Sequence, residues 1–112
     1  MNRHRKNKKI TILELIKRQD DIGDWIAEEL PSEGLENIWA YYRHLSGKEF
    51  FAAASTKSKV EVIFEINWNK KIAEINPVTI KVLYNNEKYY VTQIDDFEGR
   101  KTDLKLYAYK IN

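Results

Sequence analysis

Residues 59–68, KVEVIFEINW, alternate between apolar and polar side chains, with Val60, Val62, Phe64, Ile66 and Trp68 on one side and Lys59, Glu61, Glu65 and Asn67 on the other. A period of two is the period of a β-strand with one buried face. The same signal returns in residues 102–111, where Leu104, Leu106 and Ala108 oppose Lys105, Tyr107 and Tyr109. Residues 78–84 place Val78, Ile80, Val82 and Tyr84 on one face, and Asn85-Asn86-Glu87 then supplies residues that tolerate positive φ, as a tight hairpin into residues 88–94 requires. Residues 69–77 and 95–101, the latter around Gly99, read as turns. Residues 37–45, NIWAYYRHL, form another strand, with Trp39, Tyr41, Arg43 and Leu45 on one face and Ile38, Ala40, Tyr42 and His44 on the other. Residues 10–18, ITILELIKR, suggest a first strand, although Leu and Glu leave a helix open. Six short strands in 112 residues form one domain. They must bury one face and protect their edges, and at this size a small, mostly antiparallel β-barrel does both. Its expected core is Val60, Val62, Phe64, Ile66, Ile80, Val82, Val91, Leu104 and Leu106.

Two segments interrupt this pattern. Residues 46–58, SGKEFFAAASTKS, read as a short helix between strands two and three. Ser46 and Glu49 have capping-box spacing, alanine favours the helix, and Ser55, Thr56 and Ser58 end it. About ten residues make a marginal helix without tertiary support. Residues 19–36 combine Gly23, Pro31 and Gly34 with seven acids and no base, and read as a long acidic loop with a helical turn near Trp25–Leu30. Trp25 and Ile26 imply that this loop docks back on the body. Charge is uneven as well: the net charge is +2, but residues 1–9 carry Arg3, Arg5, Lys6, Lys8 and Lys9 without an acid. Such an arm either touches nucleic acid or is a solvated terminus.

No chemistry of an enzyme is evident. The chain has no cysteine, so thiol nucleophiles, disulfides and thiolate metal sites are out. His4 and His44 lack a spaced partner, and Asp20/Asp21 and Asp95/Asp96 read as solvated turn acids. No Gly-rich phosphate loop, nucleophile elbow or zinc spacing occurs. No cofactor, metal or small-molecule ligand is expected. No apolar run approaches the ~20 residues that span a bilayer, and no apolar segment follows the basic start as a secretory signal would require. Two classes remain. One is a small nucleic-acid-binding barrel, in which Tyr84, Tyr89 and Tyr90 with Lys81 and Lys88 would stack bases, unless those tyrosines pack across strands. The other is a structural interaction module with a robust barrel and partner-contacting loops.

The order of features resembles the head–tail joining proteins, or head-completion "stoppers", of phages with long non-contractile tails. KITILELIKRQDDIGDW is similar to their opening strand and Gly-containing acidic loop, and ENIWAYYRHLSGKEFFAA to their second strand, turn and short helix. VEVIFEI, INPVTIKVLYNNEKYYVTQIDD and RKTDLKLYAYKI resemble the remaining strands, so the likeness runs over about residues 9–111. The 19–36 loop is longer and more acidic than the resemblance leads one to expect.

The resemblance implies a virion protein made in the bacterial cytoplasm and encoded by a phage or prophage. It would assemble as a ring, commonly twelve-fold, between the portal or adaptor ring and a tail-completion or tail-tube protein. It also implies that Ser46, Gly47, Lys48, Glu49, Phe50, Phe51, Ala52, Ala53, Ala54, Ser55, Thr56, Lys57 and Ser58 point into the channel and close it over the packaged DNA end. Lys48, Lys57 and Lys59 against Glu49 give that stretch a charge suited to nonspecific contact with DNA, alongside the basic arm. The free chain is expected to be a monomer, with little apolar surface outside the core.

Overall fold

The computed structural model of the chain describes residues 5–111. Among the described residues there are seven strands: β1 (Lys8–Gln19), β2 (Trp25–Pro31), β3 (Ile38–His44), β4 (Val62–Asn67), β5 (Ile80–Tyr84), β6 (Glu87–Asp95) and β7 (Asp103–Lys110). Two helices join them, α1 (Gly47–Ser55) and α2 (Lys70–Glu74), with a 3-10 turn at Pro77–Thr79. All pairings are antiparallel, and six strands close in the order β1-β3-β4-β7-β6-β5 and back to β1. The barrel is thus mainly β and closed, as expected, with β2 added as a seventh strand along β1.

The interior is the set the alternation marks. Val62, Phe64, Ile66, Ile80, Val82, Val91, Leu104 and Leu106 are all buried, together with Ile10, Ile12, Ala40, Ile72 and Ala108. Phe64 sits among three tyrosine rings, Tyr42, Tyr84 and Tyr89, at centroid distances of 5.4, 5.6 and 5.2 Å. The Asn85-Asn86 hairpin forms as read, with φ of 52° and 63° at the two asparagines. A register shift between Val91 and Gln93 bends β6.

Four readings need correction. Residues 25–31 are strand β2, not a loop with a helical turn: β1 runs 12 residues and outlasts the barrel, so its last half takes Trp25–Pro31 as partner, and Trp25 stays exposed instead of docking back on the body. Gly23, with φ of 89°, closes the Asp20–Asp24 turn between them, where a Cβ would be strained. Val60 lies outside β4 and is only half-buried. The 69–77 turn holds α2, capped by Asn69 and pinned by buried Ile72, and β5 starts at Ile80 because Pro77 opens a 3-10 turn that leaves Val78 exposed. Finally, Lys8 and Lys9 belong to β1, so the basic arm is shorter than residues 1–9.

Candidate functional site: the α1 insert

The insert is built around one carboxylate. Ser46 is the N-cap of α1, its hydroxyl accepting from the Glu49 amide at 3.2 Å, while Glu49 Oε1 accepts from the Ser46 amide at 2.9 Å. This is the capping box the spacing predicts. What the spacing does not reveal is the second half of the anchor. Arg43, on the outward face of β3, reaches Glu49 with both terminal nitrogens, Nη1 to Oε1 at 2.6 Å and Nη2 to Oε2 at 2.8 Å. Lys105 of β7 adds a longer contact to Oε2 at 3.7 Å. The guanidinium fork, together with the Ser46 amide, holds the Glu49 carboxyl down at about 2 and raises Arg43 in turn. The clue in the sequence was the outward position of Arg43, three residues before the cap, on a strand that ends at His44.

The other end closes with a Schellman motif. Ser58 N–H donates to Ala53 O at 2.9 Å and Lys57 N–H to Ala54 O at 3.1 Å, with Lys57 left-handed at φ of 58°. Ser55 and Thr56 hydroxyls donate to the last carbonyls. Between these ends α1 buries no residue at all. Phe50 and Phe51 do not anchor it: they are 58% and 72% exposed and meet only edge to face, at 5.8 Å. A cleft of about 960 Å³ lies beside the helix, lined by Tyr41, Arg43, Glu49, Phe97, Lys105 and Tyr107.

The expected DNA-contacting residues divide. Lys48 and Lys57 are exposed at the two ends of α1, and Arg5 and Lys8 are exposed near the N-terminus. Lys6 is paired with Asp103 at 2.6 Å, and Lys9 lies over the Trp39 ring at 4.8 Å. Arg3 and His4 lie outside the described residues. Of the three tyrosines weighed as a stacking surface, Tyr84 and Tyr89 pack into the barrel, and burial pushes Tyr89 up to about 12. Tyr90 alone faces outward, against Tyr109 at 5.2 Å and beneath Lys81.

Among the described residues, three side chains weighed as catalytic candidates, Asp20, Asp95 and His44, have other partners. Asp20 Oδ1 accepts from the Ile22 and Asp24 amides, and Asp95 accepts from the Phe97 amide, so these acids hold their own turns. His44 meets Tyr42 edge-on at 5.7 Å. Among the described residues no three His, Cys, Asp or Glu groups converge as metal ligands, and no helix is long and apolar enough to cross a membrane.

The family model described as phage head completion protein matches residues 1–110. A search of curated proteins found no match. The fold is shared with the solution structure of protein SF1141 from Shigella flexneri 2a, at a TM-score of 0.71 and 19% identity over 98% of this chain and 96% of that one. A chain of the native gene transfer agent (GTA) particle virion is similar at a TM-score of 0.58 and 12% identity, over 97% of this chain and 98% of that one.

Proposed function

The chain belongs to the phage head completion protein family, and from that premise we propose that it forms a ring in the phage neck, with residues 46–58 facing the DNA channel. Its role is structural, in the joining of head and tail. The ring would stand between the portal or adaptor ring and the first tail protein and would act without catalysis. The observation that carries the assignment is the build of α1: a helix held at its base by one charged anchor and otherwise unburied. Such an element can swing or refold at low cost, because little burial opposes the change. Alanines at 52–54 let copies crowd around an axis. Lys48 and Lys57 then present positive charge to the duplex end without reading its sequence. The N-terminal Arg3 and Arg5 would add to the same nonspecific attraction.

The test is a bulky substitution at Ala54, which is exposed on α1. Ala54→Trp should leave the isolated chain folded, since nothing packs there. In particles the added ring is repeated around the axis, and filled heads should leak DNA or fail to join tails. Unfolding of the isolated variant, or fully infectious particles carrying it, would refute the channel assignment.

A further inference from the structure

Beyond Glu14, β1 leaves the barrel. Leu15–Gln19 pair only with β2, and β2 pairs only with β1, so the two form a free ribbon ending in the Asp20–Asp24 turn. The molecule is correspondingly long, 57 × 30 × 28 Å. Ion pairs brace the root of this arm: Lys71 to Glu14 at 2.7 Å, and Lys81 and Lys88 to Glu29 at 2.7 and 3.2 Å. Further out nothing covers it. Residues directly opposite in the register share a face, so Leu15 and Trp25 lie on one face and Ile16 and Leu30 on the other, all exposed. Ile22 at the tip is 82% exposed and Trp25 70%. The little apolar surface expected outside the core is therefore not what the chain has: five of its exposed large apolar side chains sit on this one projection.

A two-stranded ribbon is marginal in water by itself, and apolar residues on both of its faces mark it for insertion against another surface. We propose that the arm seats on a second copy of this chain, as the projecting half of a head-to-tail contact; this rests on the ring reading above. Two observations favour a second copy. A ring needs two different complementary patches on each subunit, and the closed barrel leaves the arm as the open strand edge among the described residues. Charge agrees: residues 13–31 carry −4, while the remainder of a chain of net +2 carries +6. The arm's inner acids, Glu14, Glu28 and Glu29, are neutralised within the subunit. Asp20, Asp21 and Asp24 form no ion pair among the described residues and can meet the basic remainder of a neighbour.

The test places a photo-reactive benzoylphenylalanine at Ile22 in the full chain and illuminates assembled particles. A cross-linked product at twice the chain's mass, containing only this sequence, is expected. Its yield should fall at least tenfold when Asp21 and Asp24 are both changed to Lys, with the turn-holding Asp20 kept, in particles that still carry the protein. A cross-link to a different virion protein, or no cross-link in particles that contain the probe, would overturn the proposal. If the Ile22 probe is not incorporated, the same probe at Trp25 takes its place, with the same product expected and the same results overturning the proposal. Averaged electron micrographs of the same particles count copies in the neck. A ring whose arm cross-links elsewhere would refute this proposal alone, whereas a copy-to-copy cross-link without a ring would refute the ring reading alone.

Discussion

Glu49 should act as a pH-dependent latch on α1, and its worth can be set from its surroundings. Depression of its carboxyl from 4.5 to about 2 corresponds to roughly 3 kcal/mol at about 1.36 kcal/mol per unit. The Arg43 and Glu49 side chains retain 19% and 16% exposure, so solvent screening brings this to about 1–2 kcal/mol. The sign follows from the lowered value. A folded-state pKa below the unfolded one stabilises above about pH 4.5, and the contribution is lost as pH falls towards 2. Because α1 buries no residue, the loss is local. Amide exchange at Ala52–Ser58, corrected for the intrinsic rate, should accelerate about five- to thirtyfold between pH 5 and pH 2.5 relative to β4. Glu49→Gln should retain the capping hydrogen bonds yet show the accelerated exchange already at pH 7. A double-mutant cycle with Arg43→Met should return a coupling of about 1–2 kcal/mol. If Glu49→Gln lowered global stability as much as a core truncation does, or left α1 protection untouched, the single-anchor account of the insert would be wrong.

Phe64→Ala, which removes the ring at the centre of the Tyr42, Tyr84 and Tyr89 cluster, should cost about 3–5 kcal/mol in a urea melt. Tyr89, pushed up to about 12 by burial, should stay protonated in the folded chain while the unfolded chain ionises near 10; stability should therefore fall as pH rises from about 10 to 12, measured by denaturant midpoints with tyrosinate absorbance as the reporter. Any association with duplex DNA should be weak and lost by moderate salt, and removal of residues 1–5, which stops short of the Lys6–Asp103 pair and of β1, should weaken it without changing the thermal midpoint. Binding that survives both treatments in a filter assay would move attention to Tyr90, Tyr109, Lys59 and Lys81.

What the sequence revealed was wherever one strand face is dry. Phe64, Val82 and Leu106 could be placed because a single polypeptide buries them, and burial imposes the period of two. The capping box at Ser46 and Glu49 and the Asn85-Asn86 hairpin were legible because each is a local motif with its own stereochemistry. Residues 25–31 were not legible: their apolar side chains fall on both faces of a ribbon, Trp25 on one and Leu30 on the other, so no face alternates, while Gly23, Pro31 and the acids mimic a loop. Arg43 was placed on the right face, but its bond to Glu49 joins a strand to a helix cap, and that pairing depends on a turn geometry that no spacing rule contains.

The α1 insert, whose helix was legible but whose Arg43 anchor was not, and the β1–β2 arm, which read as a loop, share a cause. Neither α1 nor the β1–β2 arm is held by the core of its own subunit: α1 hangs on one charged fork, and the arm on ion pairs at its root. Binary patterning reports only the burial that a chain achieves alone. A surface completed by another molecule therefore reads, within one sequence, as an exposed apolar residue or an unexplained acid. In this chain Phe50, Phe51, Ile22 and Trp25 carry that mark, and Asp20, Asp21 and Asp24 cluster beside two of them. The barrel is the part that a single chain must make for itself. On the ring and arm proposals above, the insert and the arm are the parts whose stability is deferred to assembly, and the surfaces proposed to work are those where the chain's own sequence constrains its fold least.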